Sequence, residues 1–432
     1  MRLSLLGLFA LGPLTLAACS STPQPARPAP VAACCAELGL RIADQYRVAA
    51  IDERRFTHDE LWTAIAPSHR SPELRTTEIG RSIQGRPIRA ITFGRGPVTV
   101  LLWSQMHGDE ATATMSLADM LAWMADGARP DTVRDRLAEA LTIVMVPMLN
   151  PDGSELFQRE NAIGIDINRD ARQLATPEAR ALKALRDSIR PAFGFNLHDQ
   201  NARTLAGPRG EQVAIALLAP AADRERSWGP GRTRARHVAA VIAEALEPHL
   251  PKRVAKYDDT FEPRAFGDLM QQWGTSTVLI ESGAMPDDPE KQRLRAMNVA
   301  AILSALDAIA TERYAATSFA AYDGLPFNAR SAMDVVIRGG SIVVPGGSPV
   351  RADVAINYDE PVRKRGPRLR DVGDLASVVA LDTIDATGLF LHAAPDAFTE
   401  RGGARWLRIN SAVTFSIRRS ADAASAEMVR IE

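Results

Sequence analysis

Apolar positions change their spacing along this chain, and each change marks a new part. Residues 3–16 form one nearly unbroken apolar run behind Arg2. Between residues 37 and 70 the apolar residues fall in short patches that predict helices packing as an N-terminal extension. From Thr76 onward, short continuous apolar runs alternate with longer amphipathic ones. The runs Ile88–Phe93, Val98–Trp103, Leu141–Pro147, Ala192–Leu197 and Ser276–Ile280 predict strands. The segments Glu110–Asp126, Pro177–Ile189, Arg236–Glu247 and Pro289–Arg313 predict helices. Strands that are apolar at every position are those buried on both faces. The expected class is therefore α/β, a mixed and mainly parallel sheet with helices on both faces. Past Tyr314 the texture changes: Asp334–Val344, Ala352–Ile356, Ser377–Ile384 and Trp406–Ile417 are short segments separated by Gly, Pro and Asp. They predict a small all-β, sandwich-like domain over residues 319–432, behind an α/β domain over 37–318.

The first 18 residues have the pattern of an export signal, a basic residue, an apolar run and small residues. Leu16-Ala17-Ala18-Cys19 reads as a bacterial lipobox, with Cys19 lipidated to anchor the chain to a membrane; an ordinary cleaved signal is the plainer reading. The run is shorter than the ~20 residues that span a bilayer. Ser20, in place of Asp, favours the outer membrane facing the periplasm. Residues 19–36, rich in Pro and Ala, read as a semi-rigid tether. Cys34 and Cys35 close it, and adjacent cysteines bridge each other only with strain. They are expected to be surface thiols or an intermolecular link, not metal ligands.

The chain has 432 residues, 46% of them hydrophobic, enough for two or three cores. Lys+Arg total 51 against Asp+Glu 52, so no overall basic field exists to attract nucleic acid. No phosphate-cradling glycine motif is present.

Chemistry gathers where the apolar runs stop. His107 and Glu110 follow the run ending at Trp103, His198 follows Phe193–Leu197, and Glu281 follows Ser276–Ile280. In parallel sheets, ligands bind beyond the carboxyl ends of the strands. Two imidazoles and a carboxylate form the donor set of a catalytic zinc, which keeps a fourth position open. Cobalt or manganese suit the same donors. A histidine at a strand end is, taken singly, more often a hydrogen-bonded structural residue, and Leu149-Asn-Pro-Asp-Gly153 is an ordinary turn sequence. Arg159-Glu-Asn-Ala-Ile-Gly-Ile-Asp-Ile-Asn-Arg169 is denser than a turn requires. Its arginines suit a planar carboxylate, and Asp166 suits the far nitrogen of a ligating imidazole. Glu281, in a cleft beside a metal, suits a general base.

Taken in order, these motifs resemble the zinc carboxypeptidase family, of carboxypeptidase A type. The similarity begins at Glu78-Ile-Gly-Arg-Ser-Ile-Gln-Gly-Arg-Pro-Ile88, runs through HGDE, NPDG, RxNxxGxDxNR and LHDQ, and ends near IESGA, roughly residues 70 to 313. The resemblance implies a carboxypeptidase-like fold and one zinc ion held by His107, Glu110 and His198, with Asp166 behind them. It makes Glu281 the base, Arg159 the oxyanion-stabilising arginine, and Asn168 with Arg169 the clamp on a peptide substrate's free terminal carboxylate. The implied reaction is hydrolysis of the C-terminal residue from peptides, including cell-wall peptides. Two other readings stand beside it: an amidase or deacylase of N-acyl amino acids on the same fold, and a non-catalytic, peptide-binding envelope lipoprotein. Tyr257, which lies where the family often carries a substrate-covering tyrosine, does not align with it and is assigned no role. Asp334–Val344 and the segments after it resemble the small β domain of amidohydrolases, without the metal-binding barrel, so His392 has no expected partners there.

Overall fold

The computed structural model describes residues 31–432 except Ser331, with side chains from Cys35 on. The export signal and Cys19 lie outside the described residues. The N-terminal extension comprises α1 (Val31–Gln45), α2 (His58–Ala64) and α3 (Ala66–His69). Thr57 starts α2 with a capping box, its hydroxyl and Glu60 satisfying each other's backbone N–H.

Helix α1 begins at Val31, inside the stretch read as tether. The reason is packing: Gly39 brings α1 so close to a later helix that a Cβ there would lie 2.5 Å from the Ala300 Cα. Cys35 is correspondingly buried, and its thiol donates to Asp307 Oδ2 at 3.2 Å. The expectation of a surface thiol is wrong for Cys35.

The α/β domain is built on β1 (Leu74–Arg81), β2 (Pro87–Phe93), β3 (Val98–Trp103), β4 (Leu141–Val146), β5 (Phe193–Asp199), β6 (Leu205–Ala206), β7 (Ile215–Leu218), β8 (Val254–Lys256) and β9 (Ser276–Ser282). All but β6 form one sheet in the order β1-β2-β4-β3-β5-β9-β7-β8. Pairing is parallel across β4-β3-β5-β9 and between β7 and β8, and antiparallel at the remaining junctions. Its helices are α4 (Thr112–Met124), α5 (Thr132–Ala140), α6 (Pro151–Leu156), α7 (Pro177–Ile189), α8 (Pro230–Leu246), α9 (Phe266–Gln272) and α10 (Gln292–Ala310). Alternate residues of each strand feed opposite cores: Val100 and Leu102 join one, Leu101 and Trp103 the other. The first core is filled by α4, α8 and α10, the second by α7 and α9.

The strands absent from the sequence reading are edge or short ones. β1 is largely exposed and polar, so it carries no apolar run, and β7 and β8 are four and three residues long. β10 (Asn328–Ala329) pairs with β6, β18 (Phe398–Arg401) pairs with β19 (Ala404–Leu407), and the other C-terminal strands form two facing sheets. One contains β11 (Met333–Arg338), β14 (Asp353–Glu360), β15 (Arg365–Gly373) and β16 (Ala380–Asp385). The other contains β12 (Ser341–Ile342), β13 (Val350–Arg351), β17 (Phe390–Ala393), β20 (Phe415–Arg418) and β21 (Glu427–Ile431). Val335, Ile337, Val354 and Leu369 meet Leu391, Phe415, Ile417 and Ile431 in one core between them. The predicted strand Asp334–Val344 is broken at Gly339, whose φ of 69° turns the chain from one sheet to the other. His392 bonds the Ser420 carbonyl oxygen at 3.0 Å.

One buried ion pair ties the N-terminal segment to the sheet's helices. Arg295 on α10 donates from Nε to Asp119 Oδ2 on α4 at 2.7 Å, and caps the Val48 and Ile51 carbonyls. Both side chains are fully buried. Asp119→Ala leaves that guanidinium with only the half-exposed Asp52 at 3.3 Å and is expected to cost about 3 kcal/mol, measured by denaturant unfolding; a loss below 1 kcal/mol would show the pair to be dispensable.

Candidate active site

Three turns at the carboxyl end of the parallel strands bring the candidate residues together. The turn after β3 holds Gln105 in a left-handed conformation, φ 50°, and Gln105 Nε2 ties it to Gly108 O and Ser154 Oγ. Gly108 is there because nothing larger fits: a Cβ would lie 2.0 Å from the Gly153 carbonyl carbon. HGDE and NPDG are thus pressed backbone to backbone. Asn150 caps α6 by accepting from Gly153 N–H at 2.9 Å. Asp152, fully buried, accepts from Ser82 Oγ, Gln84 N and Arg86 at 2.7, 3.0 and 2.8 Å, which fastens the β1–β2 turn to α6. NPDG is the joint that positions the neighbouring loop.

At the centre is the Glu110 carboxylate. Oε1 lies 2.7 Å from His107 Nδ1 and Oε2 lies 2.7 Å from His198 Nδ1. Oε2 also accepts from Asp199 N–H at 3.1 Å, and Arg159 Nη1 stands 3.3 Å from Oε1. All three residues are buried, and one donor atom from each lies within 4.8 Å of the others. The outer nitrogen of His107 is held by an acceptor, Nε2 lying 3.0 Å from Asp166 Oδ1, whereas His198 Nε2 lies 3.5 Å from Asn168 Nδ2, itself a donor. Both Nδ1 atoms therefore turn inward, with the carboxylate between them. A divalent cation fits this donor set.

Among protein groups alone, burial drives the protonation states apart. It pulls the His107 imidazole down, but Glu110 and Asp166 outweigh it and raise the group to about 9. At His198 burial wins and the pKa is lowered. Burial also pushes Asp166 up, yet His107 and Arg159 hold it well below the usual carboxylate range. Arg159 grips Asp166 Oδ2 with Nε and Nη2 at 3.0 and 2.9 Å.

Glu281 is the register partner of His198 on the adjacent parallel strand, so both side chains leave the same face of the sheet. It is 8% exposed and makes no ion pair among the described residues. Burial first, and the Glu110 charge second, raise its carboxyl to about 8. His107, Glu110, His198, Arg159, Asn168, Arg169 and Glu281 all line one cavity of about 830 Å³.

Residues 65–204 match a family model described as zinc carboxypeptidase. This segment belongs to the zinc carboxypeptidase family. Carboxypeptidase SOL1 of Arabidopsis thaliana is 27% identical over 160 residues, 33% of either chain. Probable carboxypeptidase 2 of Arthroderma benhamiae is 32% identical over 117 residues, 27% of this chain and 22% of its own. The matched stretches thus span no more than a third of these relatives' length. A metallo-carboxypeptidase structure from Burkholderia cenocepacia overlaps 60% of this chain and 70% of its own, with 18% identity and a TM-score of 0.48, too loose an overlap to argue from.

Within the zinc carboxypeptidase domain, the proposed terminal-carboxylate clamp is partly committed to the protein. Asn168 Oδ1 accepts from Phe266 N–H at 2.9 Å, leaving its amide hydrogens as the available donors. Arg169 lies on the cavity wall, its Nε 3.7 Å from Glu262.

Lining residues Lys291 and Asp268 escaped the sequence reading, and Tyr257 was given no role there. Lys291, fully buried, donates to Asp199 Oδ2 at 2.8 Å, and Thr112 donates to the same oxygen at 2.6 Å. Together they neutralise a carboxylate adjacent to His198. Tyr257 lines the cavity and accepts from Arg330 Nη2 at 2.9 Å. Asp268 on α9 sits behind Asn168 and Arg169, and burial raises its carboxyl to about 7. No sequence signal singled out Lys291, one of five lysines in the chain; its burial beside a carboxylate is seen only in the fold.

Purified protein is expected to carry about one zinc per chain by elemental analysis. His198→Ala should abolish that stoichiometry. Asp166→Asn, which leaves the three donors intact, should weaken zinc affinity by about 10- to 100-fold in a chelator competition. Full zinc retention by His198→Ala would remove the metal centre from this location.

Proposed function

We propose that this protein is a zinc-dependent carboxypeptidase of the bacterial envelope that releases the C-terminal residue of peptides. One observation carries the reading: the three donors converge on one point with the outer nitrogen of His107 held by Asp166, while a buried Glu281, without an ion pair among the described residues, stands one strand away. The chemistry a bound zinc supplies at that point is Lewis acidity toward a carbonyl and a lowered pKa for water. The remaining work falls to the chain's own residues. Arg169 and the amide hydrogens of Asn168 receive the substrate's terminal carboxylate, which sets the scissile bond one residue inward. Arg159 reaches the Glu110 oxygens and donates to the carbonyl oxygen as it gains charge. Glu281 accepts a proton from the attacking water, whose oxygen bonds to the carbonyl carbon. As the C–N bond breaks, Glu281 returns that proton to the leaving amine.

The envelope address rests on Arg2, the apolar run and the Leu16–Cys19 lipobox, with Cys19 as a lipid anchor placing the enzyme at the outer membrane facing the periplasm. Cell-wall peptides are then the substrates within reach, and release of a terminal amino acid from purified muropeptides checks this. Labelling with a lipid precursor should follow Cys19 and vanish in Cys19→Ser.

Glu281→Gln should retain zinc and lose kcat by about 10²–10⁴; a fully active variant would end the assignment. Acyl-dipeptides should be cleaved well and acyl-amino acids poorly, and the reverse order would favour the deacylase reading. The pH profile follows from the base. Glu281 must be ionised, so kcat/KM rises as pH rises through its pKa. Protein groups place that pKa at about 8, and the added positive charge of a cation lowers it. Arg159 also lowers it. Arg159→Gln should therefore move the acid limb to higher pH besides costing about 10²–10³ in rate; an unmoved limb would separate Arg159 from the base.

A further inference from the structure

Part of the cavity wall is made by two segments outside the family match. One is residues 52–56, between the short 3-10 turn Ala49–Ile51 and α2; the other is the turn joining β14 to β15 in the C-terminal domain. Arg54 and Arg55 project from the first over the Phe157 ring, 5.6 and 6.0 Å from its centroid. Phe157 itself is held in the left-handed region, φ 50°, a costly conformation for an aromatic residue and one that marks functional segments.

Neither guanidinium has a carboxylate within ion-pair distance among the described residues, and Arg54 Nε is buried with no hydrogen-bond partner. Of the other arginines of the cavity, Arg330 donates to the Tyr257 hydroxyl, and four are paired with carboxylates, Arg159 with Asp166, Arg169 with Glu262, Arg203 with Asp334 and Arg363 with Glu290. The last pair explains the vacancy beside Arg54. Glu290 already accepts from the Arg54 backbone N–H at 2.9 Å, and its other oxygen is taken by Arg363 at 2.7 Å. The turn of the C-terminal domain thus neutralises the acid nearest Arg54 and leaves two cationic side chains facing the cavity. Asp109 and Glu360 also line it, and neither pairs with them.

We propose that Arg54 and Arg55, backed by Phe157 and the Arg363 turn, form a subsite for a carboxylate on the acyl side of the scissile bond. The favoured substrates are then short peptides with an acidic residue before the last one. This rests on the carboxypeptidase reading: with the terminal carboxylate at Arg169 and the reacting carbonyl at Glu110, the rest of the peptide occupies the remaining lining, where neither Arg54 nor Arg55 pairs with a carboxylate among the described residues. Planar, forked guanidinium groups match a carboxylate better than any neutral side chain.

The test uses the zinc-loaded Glu281→Gln protein and calorimetric titration with two short peptides differing only in Glu or Gln at the penultimate position. The Glu peptide is expected to bind about three- to tenfold tighter, a modest factor because Arg55 is exposed and Arg54 half-buried. Added Arg54→Gln and Arg55→Gln should bring the ratio to one. Arg54→Glu with Arg55→Glu should invert the preference toward a Lys peptide, a gain that misfolding cannot mimic. Equal binding of the Glu and Gln peptides, or a preference that survives the Gln variants, overturns the subsite. Turnover by the wild type is measured alongside. Cleavage without an acidic preference refutes this subsite alone, whereas neither cleavage nor binding of either peptide refutes the carboxypeptidase reading as well.

Discussion

The structure turns on a buried carboxylate. Glu110 is 8% exposed, and taking an ionised carboxylate out of water costs several kcal/mol unless partners replace the lost hydration. Here two imidazoles, a backbone N–H and a guanidinium do so, and their combined pull holds its pKa well below the ordinary value despite burial. Those four partners come from three separate stretches of chain. The constraint therefore reaches far beyond the site: the loop after β3, the end of β5 and the segment carrying Arg159 must all arrive at one point, or a charge is stranded.

The fold meets that demand with rigid parts. Parallel strands β3, β5 and β9 end side by side, so His198 and Glu281 are set by sheet register and not by loop flexibility. The β3 loop is fixed by the Gly108–Gly153 contact, and α6 is fixed in turn by Asp152 and the β1–β2 turn. Asp166 orients His107 and restrains Arg159 together, coupling the ligand's tautomer to the arginine's position.

Around this centre the chain adds two layers of its own. The N-terminal extension is locked to α4 and α10 by the buried Arg295–Asp119 pair. The C-terminal β domain is latched at Arg203, whose guanidinium spans both oxygens of Asp334, and at Arg363. Both reach the same cavity, so its outer wall is made by elements that the metal chemistry does not require. Such walls are where substrate choice is set, because they touch the substrate without touching the reacting bond.

The amino-acid order by itself determined the strands with unbroken apolar runs. Val98–Trp103 appears at its expected limits, and His107, Glu110, His198 and Glu281 were placed by the runs that precede them. It also determined the family, because an ordered set of motifs is carried by local spacing. Polar edge strand β1, the short β7 and β8, and the burial of Cys35 were invisible there, since each is decided by what packs against it. The same holds for Lys291, Asp268 and the unpaired Arg54: a charged residue looks alike in sequence whether it faces water or a cavity. Only the tertiary structure supplies the neighbours that set its cost, its protonation and its partner, because those energies depend on distance through space and not on distance along the chain.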